Sequence, residues 1–79
     1  MKFSQTEKIV TEFFVEREGE DILKVIREID FIEEGILDSL DVVSLAAFLQ
    51  KKFNKKIDVT NYETMQAFHH FDDIIKLIT

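Results

Sequence analysis

The 79-residue chain contains no cysteine and no proline, and it has only two glycines, Gly19 and Gly35. Without cysteine it can form neither disulfides nor thiolate metal sites, and none of its side chains can perform thiol chemistry. Because proline is absent and glycine is rare, few residues interrupt helices. At this length we expect one small domain that spans residues 1–79.

The chain also has few basic residues, with 10 Lys and Arg against 16 Asp and Glu, which gives a net charge of −6. This balance argues against nucleic acid as a partner and favours basic protein surfaces. No stretch approaches the roughly 18 apolar residues of a membrane span. The N-terminal residues have neither a long apolar run nor a small-residue cleavage site, so we expect no signal peptide. We therefore expect a monomeric, cytoplasmic protein without a membrane span.

Helical periodicity predicts an all-α fold, a small bundle of three longer helices plus a short one. The first helix opens with a capping-box pattern, Ser4 with Glu7. A similar pattern, Thr60 with Glu63, predicts the start of the short helix, which ends near Phe68. The last helix carries an apolar face at helical spacing, made of Phe71, Ile74, Ile75 and Ile78. The segment 21–29 is compatible with either a short helix or a loop.

The middle helix has the strongest pattern. Asp38 is a suitable N-cap, Asp41 supports the first turn, and Asn54 is a suitable left-handed C-cap. The core-facing residues repeat at helical spacing, as Val42, Leu45, Ala46, Leu49 and Phe53. Lysines gather at the far end of the helix, where cations complement its dipole.

Ser39 stands just after this predicted N-cap. A serine at a helix start most often has no further role. Here, however, Asp38 already supplies the cap, and the first helical position points a side chain outward beside free backbone N–H groups. An attached phosphate would be stabilised at such a position.

The segment GILDSLDVVSLAAFLQKKFNKKI, with its Asp-Ser-Leu motif, resembles the central segment of acyl and aminoacyl carrier proteins. The resemblance covers most of the chain and implies their helical fold. It also implies that Ser39 carries a 4′-phosphopantetheine arm, which a separate phosphopantetheinyl transferase adds from coenzyme A. By the same resemblance, Asp38 would stand next to the phosphate and help the transferase through its Mg²⁺.

The resemblance further implies a carrier rather than an enzyme, which holds acyl or aminoacyl groups as thioesters for loading and downstream biosynthetic enzymes. The residues expected to face these partners are Leu40, Asp41, Val43, Ala47 and Lys51. This chain departs from the family pattern at Ser44, Gln50, Lys51 and Lys52, where many members carry acids. The cargo remains open among fatty acyl, polyketide, aminoacyl and D-alanyl groups.

Two other interpretations of this chain stay open. A helical adaptor without a prosthetic group would bind a partner helix and would make no use of Ser39. Residues 30–41 also imitate a twelve-residue calcium loop, but Ile32 cannot ligate at the third position and Asp41 is shorter than the usual final Glu. The adjacent His69 and His70 face different ways on a helix, so we expect no metal site.

Overall fold

The computed structural model describes residues 2–79. Over this range the elements are α1 (Gln5–Glu18), a 3₁₀ helix (Glu20–Lys24), α2 (Ser39–Phe53), α3 (Tyr62–Ala67) and α4 (Phe71–Ile78). The predicted all-α bundle, with three longer helices and a short one, is confirmed. The predicted domain also includes Met1, which lies outside the described residues.

The caps of the first two long helices follow the sequence pattern. Glu7 donates its backbone N–H to Ser4 Oγ at 3.1 Å, and Ser4 donates its own to Glu7 Oε1 at 2.8 Å. Helix α1 ends at its C-cap, Gly19, whose φ of 87° lies in the positive-φ region that favours glycine. Asn54 ends α2 in the left-handed region, with φ 53° and ψ 42°, as predicted.

The predicted cap of α3 is wrong. Asn61, not Thr60, is the N-cap, and its side chain accepts a hydrogen bond from the backbone N–H of Thr64 at 3.1 Å. Thr60 instead donates its N–H and hydroxyl to the carboxylate of Asp58, at 2.9 and 2.5 Å. The hydroxyl is therefore used by the preceding turn, and the helix begins one residue later than expected.

The segment 21–29 is not an α-helix. After the 3₁₀ helix it continues as consecutive turns, with hydrogen bonds from the N–H groups of Val25 and Glu28 to carbonyls three residues earlier. Ile22 and Ile26 are nevertheless buried, and Ile29 is half-buried. The apolar spacing thus identified residues that face the core without identifying the backbone conformation.

The core forms a single cluster that receives residues from every element except α3, and from the segments between them. In α2 the predicted stripe is buried at Val42, Leu45, Ala46 and Leu49, while Phe53 is half-buried. Phe31, in the segment before α2, is fully buried and stacks on Phe14 of α1 with ring centroids 4.4 Å apart. This contact anchors the segment that leads into α2 against the core. Across residues 2–79, no helix is both long and apolar enough to cross a membrane.

Candidate functional site

The first turn of α2 is closed by two aspartates that cap each other. Asp41 donates its backbone N–H to Asp38 Oδ1 at 2.9 Å, and Asp38 donates its own to Asp41 Oδ2 at 3.0 Å. The predicted N-cap is therefore confirmed, with Asp41 as its reciprocal partner. Ser39 is the first residue of the helix and is exposed. Because the side chain of Asp38 makes the cap bond, the Ser39 hydroxyl is not needed to satisfy the helix start.

The residues expected to face partners fall into two groups. Leu40 and Val43 leave 78% and 53% of their surface exposed. Ala47 and Lys51 are also exposed. Asp41 differs, because it is half-buried and its carboxylate is bound within the protein.

A cavity of about 430 Å³ opens beside Ser39. This volume falls within the range of small-molecule sites. Its walls come from the loop before α2, the start of α2, the end of α3 and the connection from α3 to α4. The lining residues are Ile32, Gly35, Leu37, Asp38, Ser39, Val42, Met65, Gln66 and His69. A mostly apolar space thus adjoins the exposed serine.

Asp30 shapes the loop that forms one wall of this cavity. Its Oδ1 accepts the backbone N–H groups of Ile32 and Glu33, each at 3.0 Å, and both of its carboxylate oxygens lie 2.9 Å from His69 Nδ1. The N–H of Glu33, aided by the His69 ring and opposed by partial burial, lowers the pKa of Asp30 below its usual range. A backbone hydrogen bond joins the same two segments, since Phe31 donates its N–H to the carbonyl of His69 at 2.8 Å.

These contacts leave the calcium-loop interpretation without a converging set of ligands. The carboxylate of Asp30 is used by its own loop and by His69, and those of Asp38 and Asp41 close the first turn of α2. No cluster of three or more potential metal ligands occurs within residues 2–79. The two histidines lie in the connection between α3 and α4, not on a helix as expected, and both rings approach Asp30: His69 Nδ1 lies 2.9 Å and His70 Nε2 4.0 Å from its Oδ2. His70 is also the N-cap residue of α4, without a side-chain cap bond.

Arg17 is a residue near the site that the sequence patterns did not single out. It lies in the last turn of α1 and forms an ion pair with Asp41 in the first turn of α2, 24 residues away. Its guanidinium carbon lies 5.1 Å from the ring centroid of Phe13, within cation–π distance. No local spacing rule relates Arg17 to Asp41, so only the packing of α1 against α2 reveals the pair.

Comparisons with known proteins give no relative from which a role could be transferred. No family model matches the chain, and neither a curated protein nor a solved structure matches it. The resemblance to carrier proteins therefore rests on the residues around Ser39 and stays a hypothesis about this chain.

Proposed function

We propose that the protein is a carrier, in which Ser39 bears a 4′-phosphopantetheine arm that holds acyl or aminoacyl groups between biosynthetic enzymes. The observation that carries the proposal is the position of Ser39. It is the exposed first residue of α2, directly after an acidic N-cap and at the edge of a cavity. The arm would supply the thiol that this cysteine-free chain lacks, so that cargo can be carried as a thioester.

The start of α2 suits a phosphodiester on Ser39. The first backbone N–H groups of a helix are not bonded within the helix, and the positive end of the helix dipole favours an anion there. Because Asp38 and Asp41 satisfy each other's N–H groups, the turn keeps its shape without help from the serine hydroxyl. That hydroxyl is free for modification.

Asp38 is suited to assist the modification. Its Oδ1 is used in the cap, whereas its Oδ2 accepts no hydrogen bond from residues 2–79. Asp38 is also exposed, so this oxygen is accessible to a transferase and its Mg²⁺. A single carboxylate can thus hold the turn with one oxygen and serve the enzyme with the other.

The neighbourhood of Ser39 offers contacts for partner proteins as well. Leu40 and Val43 are exposed apolar residues on the helix that the serine opens. Docking there should be brief, because a carrier must leave each enzyme quickly and affinity is set mainly by the off-rate. We expect the transferase, the loading enzyme and the downstream enzymes to use this surface in turn.

The test uses the absence of cysteine. The purified protein is incubated with coenzyme A and a broad-specificity phosphopantetheinyl transferase, and its free thiols are then titrated after removal of coenzyme A. The unmodified chain has no thiol, so the proposal predicts a rise to one thiol per chain. A protein that still has none would favour the adaptor interpretation, which makes no use of Ser39.

A further inference from the structure

Arg17 connects the end of α1 to the capping box of α2. The Asp41 carboxylate pairs with Arg17 Nη2 through Oδ1 and accepts the N–H of Asp38 through Oδ2. One carboxylate therefore receives bonds from both helices. Because Asp41 also donates its N–H to Asp38, a movement of Asp41 would be passed directly to the residue next to Ser39.

The guanidinium of Arg17 is itself held in place. It lies over the ring of Phe13, and that ring packs against Phe48 of α2 with centroids 5.6 Å apart. The Arg17 side chain is 40% exposed and that of Asp41 only 18%, so the pair sits at the rim of the α1–α2 contact. The positive charge also offsets two carboxylates that lie three residues apart, which would otherwise repel each other.

We infer that Arg17 is a positioning residue for the modification of Ser39: it holds Asp41, and through the capping box it fixes Asp38 beside the serine. This inference rests on the proposed function. It assigns Arg17 no contact with coenzyme A or with the transferase. The free oxygen of Asp38 is useful only if its orientation is kept, because small misplacements of a reacting group are costly in rate.

If Arg17 only stabilised the fold, its replacement would lower global stability without a specific effect on the start of α2. Arg27 provides the matched control for that case. Its guanidinium lies 5.2 Å from the ring centroids of Phe3 and Phe71 and pairs with Glu7 and Asp72. Arg27 thus makes the same kinds of contact as Arg17, but with the first turn of α1 and the first turn of α4. Arg27→Met should lower stability without affecting the start of α2.

The first measurement needs no transferase. Hydrogen exchange of the Asp38 and Asp41 amides is compared in Arg17→Met and Arg27→Met, after each rate is corrected for global stability. We expect Arg17→Met to speed exchange at Asp38 by about fivefold, the factor that corresponds to one hydrogen bond of ordinary strength. Arg27→Met should leave it unchanged. Equal exchange in the two variants would overturn the inference, whether or not Ser39 is ever modified.

The second measurement is the rate of arm transfer. We expect Arg17→Met to lower kcat by about tenfold, while KM for the carrier stays the same. Arg17→Lys keeps the charge and should recover most of the rate. An increase in KM at constant kcat would make Arg17 a transferase contact and overturn the positioning role, as would transfer at the wild-type rate.

The outcomes also separate this inference from the proposed function. If the wild-type protein takes no arm, the carrier proposal fails, whereas the exchange comparison still decides whether Arg17 holds the capping box. If the wild type is modified and Arg17→Met behaves like Arg27→Met in both measurements, only the role of Arg17 is rejected.

Discussion

His69 Nδ1 lies 2.9 Å from both carboxylate oxygens of Asp30, although the two residues are 39 positions apart. The pair joins the loop before α2 to the connection between α3 and α4. His69 lines the cavity beside Ser39, and Asp30 orders the loop that forms another part of its wall. The shape of the cavity therefore depends on this contact.

Replacing Asp30 by Asn should lower stability at neutral pH. The pKa of Asp30 is lowered in the folded protein, first by the N–H of Glu33. Its contribution is thus complete above the usual carboxyl pKa of about 4 and is lost as pH falls through the lowered folded value. The free energy of unfolding, measured by urea between pH 7 and pH 2, should differ most between wild type and Asp30→Asn at pH 7.

The control for this prediction is Asp21→Asn. Asp21 forms one ion pair, with Lys24, and its side chain is 94% exposed. It should change stability little at any pH. If Asp30→Asn and Asp21→Asn have the same pH dependence, the ionised carboxylate of Asp30 does not stabilise the fold.

Asp38→Ala should have two separable effects. Loss of the N-cap should reduce the free energy of unfolding by about 0.5–2 kcal/mol. Loss of the carboxylate should also slow arm transfer to Ser39. Asp38→Asn is the informative companion, since an amide oxygen can still cap the helix but carries no charge. Normal transfer to a destabilised Asp38→Ala would leave Asp38 with a capping role alone.

Lys51 and Lys52 should influence the choice of partner. Both are exposed, and Lys51 lies 12 residues after Ser39, about 18 Å along the helix axis. Changing both to Glu should speed the loading of cargo by an acyl-loading enzyme that prefers acidic carriers. It should slow the loading of cargo by the cognate loading enzyme. Rates are measured at low and high salt, because rim charges act mainly on association.

A double variant of equal charge change, Lys8→Glu with Lys24→Glu, controls for net charge. Both of these lysines are exposed and lie outside α2. If the two double variants have the same rates and the same salt dependence, the lysines of α2 are not read by either enzyme. Partner choice would then depend on Leu40 and the neighbouring residues.

Local patterns predicted much of this fold. The capping residues Ser4 and Asp38 and the left-handed Asn54 were identifiable because caps depend on residues within one turn of each other. The cap of α3 was misassigned for the same local reason. Thr60 and Asn61 are adjacent suitable residues, and the competing bond from Thr60 to Asp58 decides between them.

The surroundings of Ser39 were less predictable. Ser39 and Asp38 could be selected from the sequence, but the ion pair of Arg17 with Asp41 and the contact of His69 with Asp30 join residues 24 and 39 positions apart. Such contacts leave no periodicity in the sequence. The cavity likewise depends on how the loop and α3 pack beside α2, which no single segment encodes.

Site-specific attachment of the arm is the most direct test of the carrier account. Wild type, Ser39→Ala and the matched control Ser44→Ala are each incubated with coenzyme A and the transferase, and their intact masses are measured. Ser44 is an exposed serine on the same helix, and each change should cost less than about 0.5 kcal/mol. The account predicts that wild type and Ser44→Ala each gain the mass of one phosphopantetheine and that Ser39→Ala gains none. A modified Ser39→Ala, or a wild type that remains unmodified, would contradict it.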